Sequence, residues 1–299
     1  IGAGTAGLVT AAIAAGLGAR VALIERHLMG GDCLNVGCVP SKGIVRAARV
    51  WATASSGDEF GIPPVRVTSG NFGKVMERMR RLRAQLSRVD SAQRFKDLGV
   101  DVFIGHGRFT NPDTIQVENS TLRFSRAAIC TGARAAAPPI PGLNDVGYLT
   151  NETVFSLTAL PARLAIIGGG PIGCELAQAF ARFGSQVTLL EQLDNILPRE
   201  DTDAADIVRN RMERDGMTFA LSIKVGTVQR RDHQKVIHYT SHDGTELELT
   251  VDDILVGVGR APNIDGLGLE EAGVKFDLAG VTVDHSLRTS NHRIYAAGD

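Results

Sequence analysis

Apolar residues in this chain recur at two spacings, and the alternation between them sets out its elements. Leu8 to Leu17, a run of small and apolar residues, predicts a helix, and Arg20-Val-Ala-Leu-Ile24 after Gly18 predicts a buried strand. Val45, Ala48 and Trp51 mark a further helical stretch, while residues 53 to 70, rich in Gly, Ser and Pro, read as a loop. From Asn71 to Leu98 the apolar residues Val75, Met79, Leu82, Leu86 and Val89 recur at steps of three and four, which predicts one long amphipathic helix. Short strands bounded by turn residues follow at Val100 to Ile104, around Phe109, and at Thr114 to Val117, Leu122 to Phe124 and Ala127 to Cys130.

A Pro-rich segment, Ala133-Arg-Ala-Ala-Ala-Pro138-Pro-Ile-Pro141-Gly142, is the best internal linker and separates two halves. Beyond it come a strand at Leu164 to Ile167, a helix at Thr202 to Asp215 ending on Gly216, and a hairpin-rich region from Ser222 to Leu249 with a turn at His242-Asp-Gly244. Asp253-Ile-Leu-Val-Gly-Val-Gly259 reads as a buried strand ending in glycine.

One pattern occurs twice. Gly2-Ala-Gly4-Thr-Ala-Gly7 opens the first helix, and Gly168-Gly-Gly170-Pro-Ile-Gly173 opens the second half; both carry G-x-G-x-x-G, then a helix, a strand and a glutamate. Offsetting the stretches by 166 residues matches ten of twenty-six positions, with Gly18 on Gly184 and Glu25 on Glu191. The first two glycines permit a tight turn and close approach to a pyrophosphate, the third lets helix pack on strand, and the helix N-terminus favours the anion. Glu25 and Glu191 are placed to accept hydrogen bonds from a ribose. Two dinucleotide-binding units follow, and a flavin with a nicotinamide would form an electron relay.

The length of 299 residues fits two domains. A formal net charge of -1 gives no reason to expect nucleic acid or an anionic membrane, so Arg78, Arg80, Arg81, Arg83 and Arg88 read as a solvated helix face. No run of about 18 apolar residues predicts a membrane span, and the expectation is a soluble, cytoplasmic protein. The four cysteines, Cys33, Cys38, Cys130 and Cys174, are too few for a disulfide scaffold; the close pair Cys33 and Cys38, at the start of an apparent helix, is catalytic or metal-binding. No third ligand at metal spacing accompanies them, so no metal site is assigned.

These residues resemble the class I flavoprotein disulfide reductases, the family of dihydrolipoamide dehydrogenase, glutathione reductase and mercuric reductase. The resemblance rests on Cys33-Leu-Asn-Val-Gly-Cys38-Val-Pro-Ser-Lys42, both fingerprints, Thr131-Gly132, Gly257-Val-Gly259-Arg-Ala-Pro-Asn263 and Ala296-Ala-Gly298-Asp299. The cysteine stretch followed by Arg46-Ala-Ala-Arg49 looks most like the mercuric-reductase branch. It implies an α/β fold of two Rossmann-like FAD/NAD(P)-binding three-layer domains, divided as 1–146 for the first part of the FAD domain, 147–276 for the NAD(P) domain and 277–299 for a return segment. FAD would rest on Gly2, Gly4, Gly7, Glu25, Gly31, Lys42, Gly107, Thr131, Gly132 and Asp299, and the nicotinamide dinucleotide on Gly168, Gly170, Gly173, Glu191 and Gly259.

By the same resemblance Cys33 and Cys38 form a redox-active disulfide, Cys38 on the flavin side and Cys33 as interchange thiol, with Lys42 beside the flavin and Glu175 as its ion-pair partner. Glu191, with no Arg or Lys from 192 to 198, favours NAD(H) over NADP(H). The substrate would be Hg(II), dihydrolipoamide or another disulfide, and the alternative of another class is a non-catalytic nucleotide-binding module. Asp32 stands where most members have Thr, as a helix N-cap or as a charge opposing thiolate formation, and Pro171 interrupts the second fingerprint. The chain opens almost on its first glycine and closes at Asp299, so the expectation is a fragment whose family would supply a homodimer domain and its His-Glu acid-base pair further on.

Overall fold

A computed structural model describes residues 1–57, 61, 63 and 71–299. Most of the loop expected over 53 to 70 lies outside the described residues. Up to the linker the order is α1 (Thr5–Gly16), β1 (Val21–Glu25), α2 (Gly31–Asn35), α3 (Cys38–Ser55), α4 (Phe72–Leu86), α5 (Ala92–Asp97), β2 (Val100–Ile104), β3 (Gly107–Asn111), β4 (Thr114–Val117), β5 (Ser120–Arg123), β6 (Ala127–Ile129) and β7 (Ala133–Ala135). Then come α6 (Leu143–Val146), β8 (Arg163–Ile167), α7 (Pro171–Phe183), β9 (Gln186–Leu190), α8 (Thr202–Arg214), β10 (Thr218–Ala220), β11 (Lys224–Arg231), β12 (Gln234–Thr240), β13 (Glu246–Val251), β14 (Asp253–Val256), β15 (Arg260–Pro262), β16 (Phe276–Asp277), β17 (Gly280–Val281) and β18 (Ile294–Ala296).

The chain divides into two compact units. The first comprises Ile1–Cys38, Arg83–Arg134 and Arg260–Asp299. In it β1 pairs in parallel with β2, Val21 against Val100, and β18 pairs in parallel with β6. β3, β4 and β5 form an antiparallel meander. Ile24, Phe109, Ile129, Leu269 and Ile294 share one core, and Leu8, Leu23, Phe95 and Val100 share another beneath α1.

The second unit comprises Val39–Leu82 and Ala135–Gly259. Its parallel sheet runs β10-β9-β8-β14, and a second, antiparallel sheet runs β11-β12-β13. The four strands of the first are apolar because parallel strands are covered on both faces; Leu164, Ala165 and Ile166 are wholly buried. Helices α3 and α4 precede the linker in sequence yet belong largely to this unit, because Trp51 packs edge-on to Phe183 at 5.1 Å and Phe72 meets Phe180 at 5.7 Å.

Three expectations are corrected. The single helix over 71 to 98 is two, since Ser91 caps α5 by accepting the N–H of Arg94 at 3.2 Å, and the chain leaves the helix after Leu86, where Leu86 and Val89 are exposed. Arginines of α4 are not a merely solvated face: Arg78 donates to the Gly43 carbonyl at 3.3 Å, Arg80 to that of Leu157 at 2.7 Å, and Arg83 to that of Asn35 at 3.0 Å. The cysteines also do not share one helix. Val36 at φ -141° ends α2, and α3 starts anew at Cys38. Pro171 proves ordinary, standing in the first turn of α7 where no intrahelical N–H is required.

Candidate functional site

The first fingerprint is a turn closed by its own glycines. Gly2 has φ +99°, and a Cβ on it would meet the Cys130 carbonyl oxygen at 2.2 Å; one on Gly7 would meet the Gly2 oxygen at 1.8 Å. Gly4 differs, because its Cβ would find only the Gly31 Cα at 3.6 Å. The second fingerprint repeats this: a Cβ on Gly173 would lie 2.2 Å from the Gly168 oxygen, whereas one on Gly170 would have no neighbour nearer than 3.8 Å. Backbone therefore fills the space at the first and third glycines and leaves the middle one open, as close approach of a pyrophosphate requires. FAD and a pyridine dinucleotide fit these two cradles.

The two glutamates hold the turns from beneath. Glu25 accepts the N–H of Ala3 at 2.8 Å on one oxygen and that of His27 at 2.8 Å on the other. Glu191 accepts from Gly169 at 2.5 Å and from Leu193 at 3.0 Å. Both are buried. Each carboxylate oxygen has a second lone pair, so a ribose hydroxyl can still donate to it.

The cysteine turn rests directly on the first fingerprint. Gly30 donates its N–H to the Ala3 carbonyl at 2.8 Å, and Gly31, at φ +57°, packs so closely that a Cβ would lie 2.5 Å from the Gly4 Cα. Any other residue at 31 would push this turn off the glycine loop. Cys33 follows within α2 and is half-buried; Cys38 opens α3 and is exposed. The 18-residue α3 begins at Cys38 itself, so this cysteine stands in the first turn of the helix.

Asp32 is not a helix cap, since Gly30 occupies that position. Its carboxylate instead accepts from Arg260 Nη2 at 2.5 Å. The same nitrogen donates to the Ala133 carbonyl at 2.6 Å, and Arg260 Nε pairs with Asp299. Burial works against the Arg260 charge, but Asp32 and Asp299 outweigh it and hold the guanidinium above its ordinary range.

Thr131 and Gly132 are tied to Asn263, just after β15. Thr131 Oγ1 donates to the Asn263 carbonyl at 2.8 Å, Asn263 Nδ2 donates to the Thr131 carbonyl at 2.9 Å, and the Asn263 N–H donates to that of Gly132 at 2.8 Å. Residue type alone does not mark Arg260 and Asn263 as site residues; the signal for them is their place in the Gly257 to Asn263 motif, just after an apolar strand. Gly107 begins β3, where a Cβ would lie 3.0 Å from Ile24, so packing accounts for its glycine. Gly259, at φ +133°, has open space around it. Lys42 in α3 and Glu175 in α7 are both exposed, and among the described residues no ion pair joins them.

Cys130 and Cys174 lie inside the protein. Burial pushes the Cys130 thiol up, and burial, followed by the Glu191 carboxylate, pushes Cys174 up to about 12. Cys174 Sγ donates to the Gly169 carbonyl at 3.3 Å. Among the described residues no helix is long and apolar enough to cross a membrane.

Comparison with known proteins bears on the same residues. The family model described as pyridine nucleotide-disulphide oxidoreductase matches residues 1–299. The chain is 34% identical over 300 residues to a mercuric reductase from Staphylococcus aureus, covering all of this chain and 54% of that protein. It is 35% identical over 305 residues to a dihydrolipoyl dehydrogenase from Bacillus subtilis (strain 168), covering 66% of it. The HOCl-induced flavoprotein disulfide reductase RclA from Escherichia coli superposes with a TM-score of 0.87 at 32% identity, over all of this chain and 64% of that one. The chain thus spans roughly half to two thirds of the length of these relatives. Its fold is the α/β arrangement of two Rossmann-like dinucleotide-binding domains, and the chain belongs to the pyridine nucleotide-disulphide oxidoreductase family.

Proposed function

We propose that this chain carries the electron path of a mercuric-reductase-like flavoenzyme, from NADH through FAD to a Cys33–Cys38 disulfide and on to Hg(II) or a disulfide substrate. The observation that carries the reading is the contact of Gly31 with Gly4: the turn bearing Cys33 is seated on the glycine loop of a dinucleotide cradle. When bound, FAD supplies a ring that accepts hydride on one face and hands the electron pair to sulfur from the other.

The residues of the chain do the rest. Gly2, Gly4 and Gly7 shape the flavin-side cradle and Gly168, Gly170 and Gly173 the nicotinamide-side cradle, with Glu25 and Glu191 fixing each turn and accepting from each ribose. Cys38, at the mouth of α3, holds the charge left when the disulfide opens, and Cys33 leaves as the interchange thiol. Thr131, Gly132 and Asp299 orient the flavin, while Lys42 and Glu175, exposed and joined by no ion pair among the described residues, are given no part in it. The step balances as NADH, one proton and a disulfide giving NAD+ and two thiols. Glu191, bonded to backbone and unaccompanied by a nearby cation over 192 to 198, would repel a 2'-phosphate, so NADH is the preferred reductant.

Anaerobic addition of one equivalent of NADH to the FAD-loaded, air-oxidised protein tests this. Quenching in denaturant should reveal four thiols where the oxidised protein has two; no gain in thiols would sink the proposal. Dihydrolipoyl dehydrogenases match at comparable identity, so the second reading is NAD+ reduction by dihydrolipoamide. In the full-length protein, which we propose is a homodimer, Hg(II)-dependent NADH oxidation supports the first reading, and dihydrolipoamide-dependent NADH formation supports the second.

A further inference from the structure

We infer that Arg260 is a positioning residue for the cysteine turn, neutralising Asp32 and thereby setting how readily Cys33 acts as a nucleophile. The inference rests on the reading of Cys33 as the interchange thiol. Cys33 lies in α2, only five residues long, so little helix field reaches it, and the residue before it in the chain is an acid, Asp32. A carboxylate beside a thiol disfavours a second negative charge on sulfur. Arg260 meets that carboxylate at 2.5 Å while anchored on the Ala133 carbonyl at 2.6 Å. One guanidinium therefore fixes the cysteine turn to the segment after β6, and its side chain is only 25% exposed.

Among the described residues, hydrogen bonds and ion pairs tie Asp32, Arg260, Asp299 and Arg83 to the turn, and the Cys38 thiol opens the helix that follows it. Asp32 belongs to it, Arg260 pairs with Asp32, Asp299 meets the far side of Arg260, and Arg83 donates to the Asn35 carbonyl at the end of α2. Arg260 is thus shared between two carboxylates, and its loss would leave Asp32 uncompensated next to Cys33. At partly exposed sites a unit charge one residue away shifts a thiol by roughly one unit, a tenfold change in thiolate. The higher intrinsic nucleophilicity of a more basic thiolate offsets part of this, leaving about a threefold change in rate near neutral pH.

The test is the rate of iodoacetamide alkylation at Cys33, read by peptide mass spectrometry across pH, in the FAD-loaded protein reduced with a phosphine. Arg260→Gln should slow it about threefold at neutral pH and move the profile to higher pH, Asp32→Asn should speed it by a similar factor, and the double variant should return to within about twofold of the parent. A double variant as slow as Arg260→Gln, or an Asp32→Asn rate no higher than the parent, overturns the inference. Asp32→Asn removes no anchor from Arg260's other partners, so it keeps the test decisive where Arg260→Gln fails to fold. Because the assay reads a thiol already reduced, it is separate from whether NADH can reduce the pair.

Discussion

Glu191 accepts the backbone N–H of Gly169 at 2.5 Å, and 166 residues earlier Glu25 holds Ala3 in the same way at 2.8 Å. Both bonds go to the residue between the first two glycines of a fingerprint, and the other oxygen of each carboxylate takes the N–H two positions further on. The acid at the end of the second strand is therefore part of the glycine turn itself, as well as a group for ribose. Its place in the two halves shows that the duplication extends to individual hydrogen bonds.

Replacing Glu191 should show both roles. Glu191→Ala leaves two backbone N–H groups without their acceptor, each costing about 1–3 kcal/mol where buried. Glu191→Gln keeps the shape but offers an NH2 to one of them. We expect the KM for NADH to rise roughly tenfold in Glu191→Gln, with the NADPH to NADH preference moving toward NADPH as the repelling charge is lost. Steady-state reduction of an artificial acceptor measures both; an unchanged ratio would remove Glu191 from cofactor choice.

The glycines of one fingerprint should separate folding from binding. Gly173→Ala puts a Cβ 2.2 Å from a backbone oxygen and should cost more than about 2 kcal/mol, lowering the melting temperature by several degrees. Gly170→Ala meets only the Gly257 carbonyl oxygen at an unstrained 3.8 Å and should melt within about 1–2 °C of the parent, yet bind NADH at least roughly tenfold more weakly, since the methyl group occupies the pyrophosphate's approach. Equal melting temperatures for the two variants would contradict the close contact of Gly173 with the Gly168 carbonyl.

Cysteine chemistry should divide the same way. At pH 8 the folded, reduced protein should be alkylated at Cys33 and Cys38 only, with Cys130 and Cys174 reacting after denaturation, as peptide mapping would show. Because the folded Cys174 thiol is raised from 9.0 to about 12, its neutral form is favoured by folding. That contribution to stability is whole below pH 9 and is lost as pH rises toward 12, so denaturant midpoints should fall over that window and Cys174→Ser should flatten the fall.

What the sequence made legible follows from how local each signal is. The two fingerprints, Glu25 with Glu191, and the strands at Val100–Ile104 and Thr114–Val117 depend on short runs, and they appear where spacing and alternation put them. The break between α4 and α5 was hidden because Leu86 and Val89 continue the helical period although both are exposed; the cap at Ser91 decides the matter. Asp32 with Arg260 could not be read at all, since 228 residues separate them and neither charge has a local partner that announces it. Long-range pairing of this kind is fixed by the return of the chain to its first unit, which no periodicity encodes.

The arginines of α4 offer the last test, because net charge and structure assign them different work. Arg80 is half-buried and donates to the carbonyls of Ser156 and Leu157, which precede β8 in the second unit, whereas Arg81, its neighbour in sequence, is exposed. A charged donor to a carbonyl is worth about 1.5–3 kcal/mol, and an exposed side chain without such a bond typically less than about 0.5 kcal/mol. Arg80→Ala should therefore destabilise the protein by about 1–2 kcal/mol in urea unfolding, and Arg81→Ala should leave the midpoint unchanged. Were the row a binding surface for a polyanion, both substitutions would weaken retention on heparin to a similar degree while stability stayed level. A loss of stability in Arg80→Ala alone, with heparin retention of both variants unchanged from the parent, identifies Arg80 as a clasp on the segment leading into β8, and the row around it as structure.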